Sequence, residues 1–341
     1  MRTAYVKFRN QTAFVGPSMT SVTSLFAPVE ADLVVLADNL KNLVGTRHPI
    51  LYAAAEHLFG AGGKRIRPAI VFLLSRATMP SQDITPKHRR LAEITEMIHT
   101  ASLVHDDVVD EAATRRGVPT VHSNFGNQVA VLAGDFLFAQ SSWYLANLDN
   151  LTVVKLLSQV IMDLAEGEIQ QGLNRFDPDL SMEAYLQKSY CKTASLIANS
   201  AKAAGVLSGL PEERTQQLYD YGRNLGLAFQ IVDDILDFTS SDDVLGKPAG
   251  SDLKSGNLTA PVLYALEETP YLATLIEREF SQPGDFDQAI DLIESSQGLE
   301  RSRQLAAQHG YCAIDCLQGL PASESRDALV ELVDYVLRRL H

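Results

Sequence analysis

The sequence predicts an all-α protein, a single-domain large helical bundle. Three observations predict it. Apolar residues recur every three or four positions through almost every long segment, the period of a helix with one buried face. Period-two strand alternation and Asn-Gly hairpin signals are essentially missing. No shift in composition marks a linker, so the helices belong to one bundle.

The elements follow in chain order. "MRTAYVKFRNQTAFVGPS" carries Arg2, Lys7 and Arg9 and no acid, but lacks the apolar stretch of a signal peptide. Residues 1–24 are expected to be a disordered extension and residues 25–341 the folded domain. In "ADLVVLADNLKNLVG", Leu33, Leu36, Leu40 and Leu43 share a face ahead of a glycine stop. The same spacing continues through "AEITEMIHTASLVHDDVVD", "VVKLLSQVIMDLAEGEIQQGL", "MEAYLQKSYCKTASLIANSAKAAGVL" and "YDYGRNLGLAFQIVDDILDF". Pro49, Pro68, Pro80, Pro119, Pro178, Pro211 and Pro248 fall between these runs. Beyond about residue 270 the chain turns more polar, which suggests a tail closing one side.

Composition limits the function. The 341 residues, 46% of them hydrophobic, can fill one large core. A net charge of −13 argues against a nucleic-acid partner, because a phosphate backbone needs an extended basic surface. Cys191, Cys312 and Cys316 form neither a disulfide framework nor a zinc site, and read as reduced thiols of a cytosolic protein. No apolar run reaches transmembrane length; the best candidate, "VAVLAGDFLFA", is broken by Asp135.

Against that background "LVHDDVVDEAATRRG", residues 103–117, is costly. Carboxylates at i and i+4 on a helix, about 6 Å apart, repel by roughly 0.7 kcal/mol in water and about 3 kcal/mol at an effective dielectric near 20. Aspartate is also a poor helix former. A solvated acidic face would explain one such motif, but Leu103, Val104, Val108 and Val109 tie this one to a core. "FQIVDDILD", residues 229–237, repeats the pattern with Asp233, Asp234 and Asp237. Two such helices facing each other would form a cage of carboxylate oxygens, with Asp106, Asp110 and Asp233 as its direct ligands. Hard oxygen donors without cysteine select Mg²⁺, which keeps several waters and shares its sphere with substrate phosphates.

Basic residues gather around the same motifs. Lys64, Arg65 and Arg67 stand in "GGKRIRP", and Arg115 and Arg116 follow the first aspartates. Lys192 lies in "CKTAS", and Lys247 and Lys254 in "GKPAGSDLKSGN". Arginine forks bind phosphate bidentately, and lysine binds it as a point charge. Any one cluster alone reads as a solvated face. Alternating with two metal-ligand motifs, they read as anion sites, some bridged by metal and some gripped directly.

In "GGKRIRP", "LVHDDVVDEAATRRG", "CKTAS", "GLAFQIVDDILD" and "GKPAGSDLKSGN" the chain resembles the trans-isoprenyl diphosphate synthases. The likeness extends over nearly the whole chain from about residue 25. The spacing within DDVVD and the small residues before it are most similar to the long-chain branch. "SVTSLFAPVEADL" is similar to the solanesyl diphosphate synthases of cyanobacteria and plastids. The resemblance implies a helical bundle around a deep central cavity, usually a homodimer, in the cytoplasm or, in a eukaryote, the plastid stroma. It implies a Mg²⁺-dependent prenyltransferase condensing isopentenyl diphosphate head-to-tail with an allylic prenyl diphosphate. The implied product is a long all-trans polyprenyl diphosphate, best solanesyl diphosphate for a quinone side chain; a geranylgeranyl or farnesyl product is the alternative. Release of so apolar a product implies transient membrane contact.

By motif, the resemblance assigns Mg²⁺ and the allylic diphosphate to Asp106, Asp107 and Asp110, and to Asp233, Asp234 and Asp237 across the cavity. Lys64, Arg67, His99 and Arg116 would hold isopentenyl diphosphate. Arg115, Lys192, Thr193, Gln230, Lys247 and Lys254 would contact the allylic diphosphate. Ala101 and Ser102, just before Asp106, would govern chain length, because a bulky aromatic there forms a floor. One position departs from the pattern: Asn257 stands where many relatives carry a lysine, which puts one phosphate contact in question.

The implied chemistry needs no nucleophilic side chain. Cations stabilise the leaving diphosphate, the allylic C–O bond ionises, and the double bond of isopentenyl diphosphate attacks the carbocation. Loss of a proton to the departing diphosphate restores a trans double bond. Positioning, charge stabilisation and exclusion of water supply the rate. A class I terpene cyclase would mix Asn, Ser or Thr with Glu in its second motif, where this chain has "DDILD". A di-iron carboxylate bundle needs paired Glu-x-x-His motifs, and only Glu96 to His99 fits. A non-catalytic synthase subunit typically loses one aspartate motif; both are intact.

Overall fold

A computed structural model describes residues 25–43, 63–79, 81–115, 117–239 and 249–340. The expected extension, residues 1–24, lies outside the described residues, as do Arg116 and Lys247. The all-α class is the observed one. A 3₁₀ turn (Ala27–Val29) leads into α1 (Glu30–Leu43), α2 (Ile66–Thr78) and α3 (Pro86–Val109). A two-residue hairpin follows, β1 (Thr114–Arg115) antiparallel to β2 (Val118–Pro119). It is the only strand pairing among the described residues. Next come α4 (Val121–Phe125), α5 (Asn127–Ala146), α6 (Leu151–Leu173) and α7 (Met182–Ser189). One π-helical turn (Tyr190–Ala194) runs directly into α8 (Ser195–Leu207), and α9 (Glu212–Thr239) follows. The remainder is α10 (Ser251–Lys254), α11 (Ala260–Glu268), α12 (Tyr271–Glu277), α13 (Asp285–Ser295), α14 (Gly298–Cys316) and α15 (Glu324–Arg338). None of these helices is long and apolar enough to cross a membrane.

Two long helices carry the aspartate motifs, and both are central. α3 starts on a capping box: Thr85 Oγ1 accepts from the His88 N–H, the His88 ring accepts from the Thr85 N–H, and Pro86 needs no donor there. Its buried residues, among them Leu91, Ile94, Met97, Ile98, Ala101 and Val104, run around the helix. It therefore packs against α2, α5 and α8 at once. α9 approaches its neighbours through glycine: a Cβ on Gly222 would lie 2.7 Å from Ala198 Cα, and one on Gly226 2.5 Å from Ala194 Cα.

The polar tail does more than close one side. α14 packs along α9 and against α11 and α15, and buries Gly298, Ser302, Ala306, Gly310 and Ala313. These small residues give no hydrophobic signal, yet they let helices approach closely. Tyr221 on α9 completes the link by donating its hydroxyl to Leu329 O on α15 at 3.1 Å. Pro68, expected between helices, lies in the first turn of α2, where its missing N–H would have no helical partner. The C-terminal end of α3, the second half of α9, the π turn and residues 251–259 converge on one cavity of about 910 Å³.

Candidate active site

Asp106 and Asp110, one turn apart near the end of α3, both line this cavity. Burial pushes the Asp106 carboxyl up to about 6; the Lys192 ammonium opposes the rise, and Glu168 and Asp110 add to it. Among the described residues no donor or cation pairs directly with that carboxyl. Asp107 points elsewhere, accepting a hydrogen bond from Arg115 Nε at 2.6 Å. Burial raises its pKa, and the Arg115 guanidinium counters this. Arg115 itself sits on the hairpin and lines the cavity.

The second motif has the same spacing but a different orientation. Its middle aspartate, Asp234, lines the cavity. Asp234 accepts the Tyr185 hydroxyl on one oxygen and Gln230 Nε2, at 2.8 Å, on the other. Complete burial, with Asp252 nearby, holds its carboxyl well above the usual range. Asp233 instead pairs with Arg339 at 2.7 Å and is not among the lining residues. Asp237 ties α10 to the end of α9, accepting from Ser251 Oγ at 2.8 Å and from the Asp252 N–H at 3.1 Å.

The basic residues fall into two groups around the aspartates. Arg67 and His99 line one side, Nη1 to Nε2 at 3.0 Å. A guanidinium has no acceptor, so it donates and His99 accepts. Lys64 donates to the Tyr335 hydroxyl at 2.8 Å, away from the lining, and Arg65 is taken up by Glu96. On the other side Lys192 pairs with Glu168 at 2.6 Å and donates to Gln171 at 2.9 Å. Gly167 makes room for it: a Cβ there would lie 2.8 Å from Lys192 Cγ. Thr193 donates to Gln230 Oε1 at 2.6 Å, so Thr193, Gln230 and Asp234 form one chain of hydrogen bonds. Lys254 lies over the Phe286 ring at 5.9 Å and is not on the cavity wall. Ala101 is fully buried in the core, whereas Ser102 and Leu103 line the cavity.

Sequence reasoning missed Tyr185, Lys188, Glu168, Asp252 and Arg339. Tyr185, Lys188 and Lys192 are spaced by three and four, which could have marked one face leading to the site. Arg339 carries no local signal, because it reaches Asp233 from the far end of the chain.

Among the described residues no three acidic, histidine or cysteine side chains come close enough to hold a metal by themselves. The donors present still fit Mg²⁺. Asp106, Asp110 and Asp234 are hard oxygen donors from two walls of one cavity, and among the described residues Asp106 has no direct cationic partner. Mg²⁺ is characteristically bound through one or two carboxylates, with waters and phosphate oxygens filling the rest of its sphere.

Residues 48–293 match the family model for polyprenyl synthetase. The chain belongs to the polyprenyl synthetase family. Over 323 residues it is 70% identical to a prenyl transferase of Synechocystis sp., covering 95% of this chain and 100% of that protein. Over 333 residues it is 54% identical to solanesyl-diphosphate synthase 2, chloroplastic, of Oryza sativa subsp. japonica, covering 97% and 83%. A polyprenyl synthase from Caulobacter crescentus CB15, solved with calcium and isoprenyl diphosphate, is similar with a TM-score of 0.85. It is 36% identical, and the match covers 94% of this chain and 99% of that one. As a polyprenyl synthetase the chain is a trans-prenyltransferase of isoprenoid biosynthesis, and its cavity is the place to look for that chemistry.

Proposed function

We propose that this polyprenyl synthetase condenses isopentenyl diphosphate with an allylic prenyl diphosphate inside the cavity, repeatedly, and that its product is solanesyl diphosphate. One observation carries the reading. Carboxylates from two helices, Asp106 and Asp110 on α3 and Asp234 on α9, open into the same cavity as two separate cationic groups. Arg67 with His99 suits the isopentenyl diphosphate; Lys64 and Arg116 are assigned to it on the resemblance alone. Lys192, Thr193, Gln230 and Arg115 suit the allylic diphosphate; Lys247 and Lys254 are assigned to it on the resemblance alone. Asp106, Asp110 and Asp234 would hold Mg²⁺, joined by Asp233 on the resemblance. When bound, Mg²⁺ neutralises charge on the departing diphosphate. Asp107 keeps Arg115 aimed at the cavity, and Gln230 holds Thr193 and Asp234 in register. The departing diphosphate takes the proton. The solanesyl assignment rests on the rice relative of that name.

A homodimer is part of the same proposal. α5 exposes Val131, Leu132 and Trp143, and α6 exposes Met162, Ile169 and Leu173, with Trp143 66% and Leu173 79% exposed. So much apolar surface on adjacent helices favours a second copy as its cover. The proposed compartment is the cytoplasm, or the plastid stroma in a eukaryote; Cys191, Cys312 and Cys316 are all free thiols. Transient membrane contact would take up the long apolar product. The test is incubation of the purified chain with Mg²⁺, radiolabelled isopentenyl diphosphate and an allylic primer, with reversed-phase chromatography of the products. Long-chain polyprenyl products are expected. No incorporation would overturn the reaction, and products no longer than geranylgeranyl would overturn the assigned length.

A further inference from the structure

Lys188 belongs to neither aspartate motif nor to the basic stretches, yet it lines the cavity while only 6% exposed. Its Nζ donates to Asn257 Oδ1 at 2.5 Å and lies 5.6 Å from the centre of the Tyr185 ring. Among the described residues no carboxylate pairs with it directly; Asp234 and Asp252 act on it at longer range. Burial pulls the pKa of its ammonium down, and those two carboxylates pull it back up. An ammonium has three donors, and one neutral amide satisfies only one of them. A buried cation in this position is costly unless an anion joins it.

Its partner, Asn257, stands where the resemblance would place a lysine. Asn257 sits on a braced segment: its N–H donates to Asp252 O at 2.9 Å, and Asp237 holds Ser251 and Asp252. Gly256 before it has φ +82°, and a Cβ there would lie 2.5 Å from the Phe176 ring. Lys188 comes from α7, one helical turn before Lys192. Lys192 is already engaged by Glu168 at 2.6 Å, whereas among the described residues the Lys188 ammonium donates a hydrogen bond to the Asn257 amide alone.

We propose that Lys188 is a diphosphate-binding residue of this chain, supplying from α7 the charge that the resemblance would place at position 257, with Asn257 aiming its ammonium. The inference rests on the reading of the cavity as a Mg²⁺-bridged diphosphate site. A lysine that merely neutralised Asp234 and Asp252 would matter for stability and not for diphosphate affinity.

The test is calorimetric binding of inorganic diphosphate, with Mg²⁺, to the full chain and to Lys188→Gln, Asn257→Lys and the double variant. Thermal midpoints are measured beside it. Wild-type binding examines the underlying reading; its absence would overturn that reading and this inference with it. Given wild-type binding, Lys188→Gln should weaken it about tenfold to hundredfold, the value of one charged hydrogen bond. The double variant, with its ammonium returned to position 257, should recover to within about threefold of the wild type. Lys188→Arg, which keeps the charge, should bind more tightly than Lys188→Gln and serves if the glutamine variant does not fold. Unchanged affinity in Lys188→Gln would overturn the proposal. So would a folded double variant binding as weakly as Lys188→Gln.

Discussion

Gly226→Ala should disturb the proposed allylic site without touching any group that lines it. The added methyl would lie 2.5 Å from Ala194 Cα and 2.7 Å from Ala194 Cβ, where 3.4–4 Å is ordinary contact. α9 and the π turn must therefore part by about 1 Å, and overpacking of this kind costs about 1–3 kcal/mol. Alanine returns about 1 kcal/mol in helix propensity, which leaves a net loss of up to about 2 kcal/mol. The site amplifies the shift. Thr193 precedes Ala194, Gln230 lies one turn beyond Gly226, and the two are joined at 2.6 Å. Another 1 Å carries that hydrogen bond to about 3.6 Å, beyond useful range. Thermal unfolding and steady-state kinetics together provide the assay. The midpoint should fall by a few degrees. The KM for the allylic primer should rise, while that for isopentenyl diphosphate stays, because Arg67 and His99 sit on α2 and α3. An unchanged midpoint with unchanged kinetics would refute the packing argument. An equal rise in both KM values would refute the division of the site.

Arg67→Ala should raise the KM for isopentenyl diphosphate about tenfold to hundredfold and that for the primer far less, as steady-state kinetics would show. Ser102→Phe places a ring on the cavity wall, so chromatography should show shorter products from an active enzyme. Ala101→Tyr must overpack a fully buried position and should also cost about 1–3 kcal/mol of stability, read as a lower thermal midpoint. Chelation of divalent metal should abolish turnover while circular dichroism keeps its helical signal, and added Mg²⁺ should restore the rate.

The fold was legible because the long helices have apolar faces with the right period, and the family motifs stand intact on them. What remained hidden depends on helix rotation and on distant partners. DDVVD and DDILD read alike, yet the first presents Asp106 and Asp110 to the cavity and the second presents Asp234. Identical spacing sets which aspartates share a face, but packing decides which way that face turns. On α9, Gly222 and Gly226 fix the rotation against α8 and the π turn, and no charged residue announces it. The importance of α14 was hidden for a related reason, since Gly298, Ser302, Ala306 and Gly310 look polar or featureless in sequence. Lys188 and Asn257 were each visible, but their hydrogen bond spans 69 positions and no local pattern joins them.

For the proposed condensation, the two aspartate motifs must act on one substrate cavity. The most direct test is the single-turnover rate of condensation at saturating Mg²⁺ for Asp106→Asn and Asp234→Asn, with circular dichroism confirming that the helices persist. Each substitution preserves shape and removes one charge from one wall. Both rates should fall by about a hundredfold or more, comparable to the loss of a transition-state charge contact. A near-normal rate in either variant, with its fold intact, would contradict the claim.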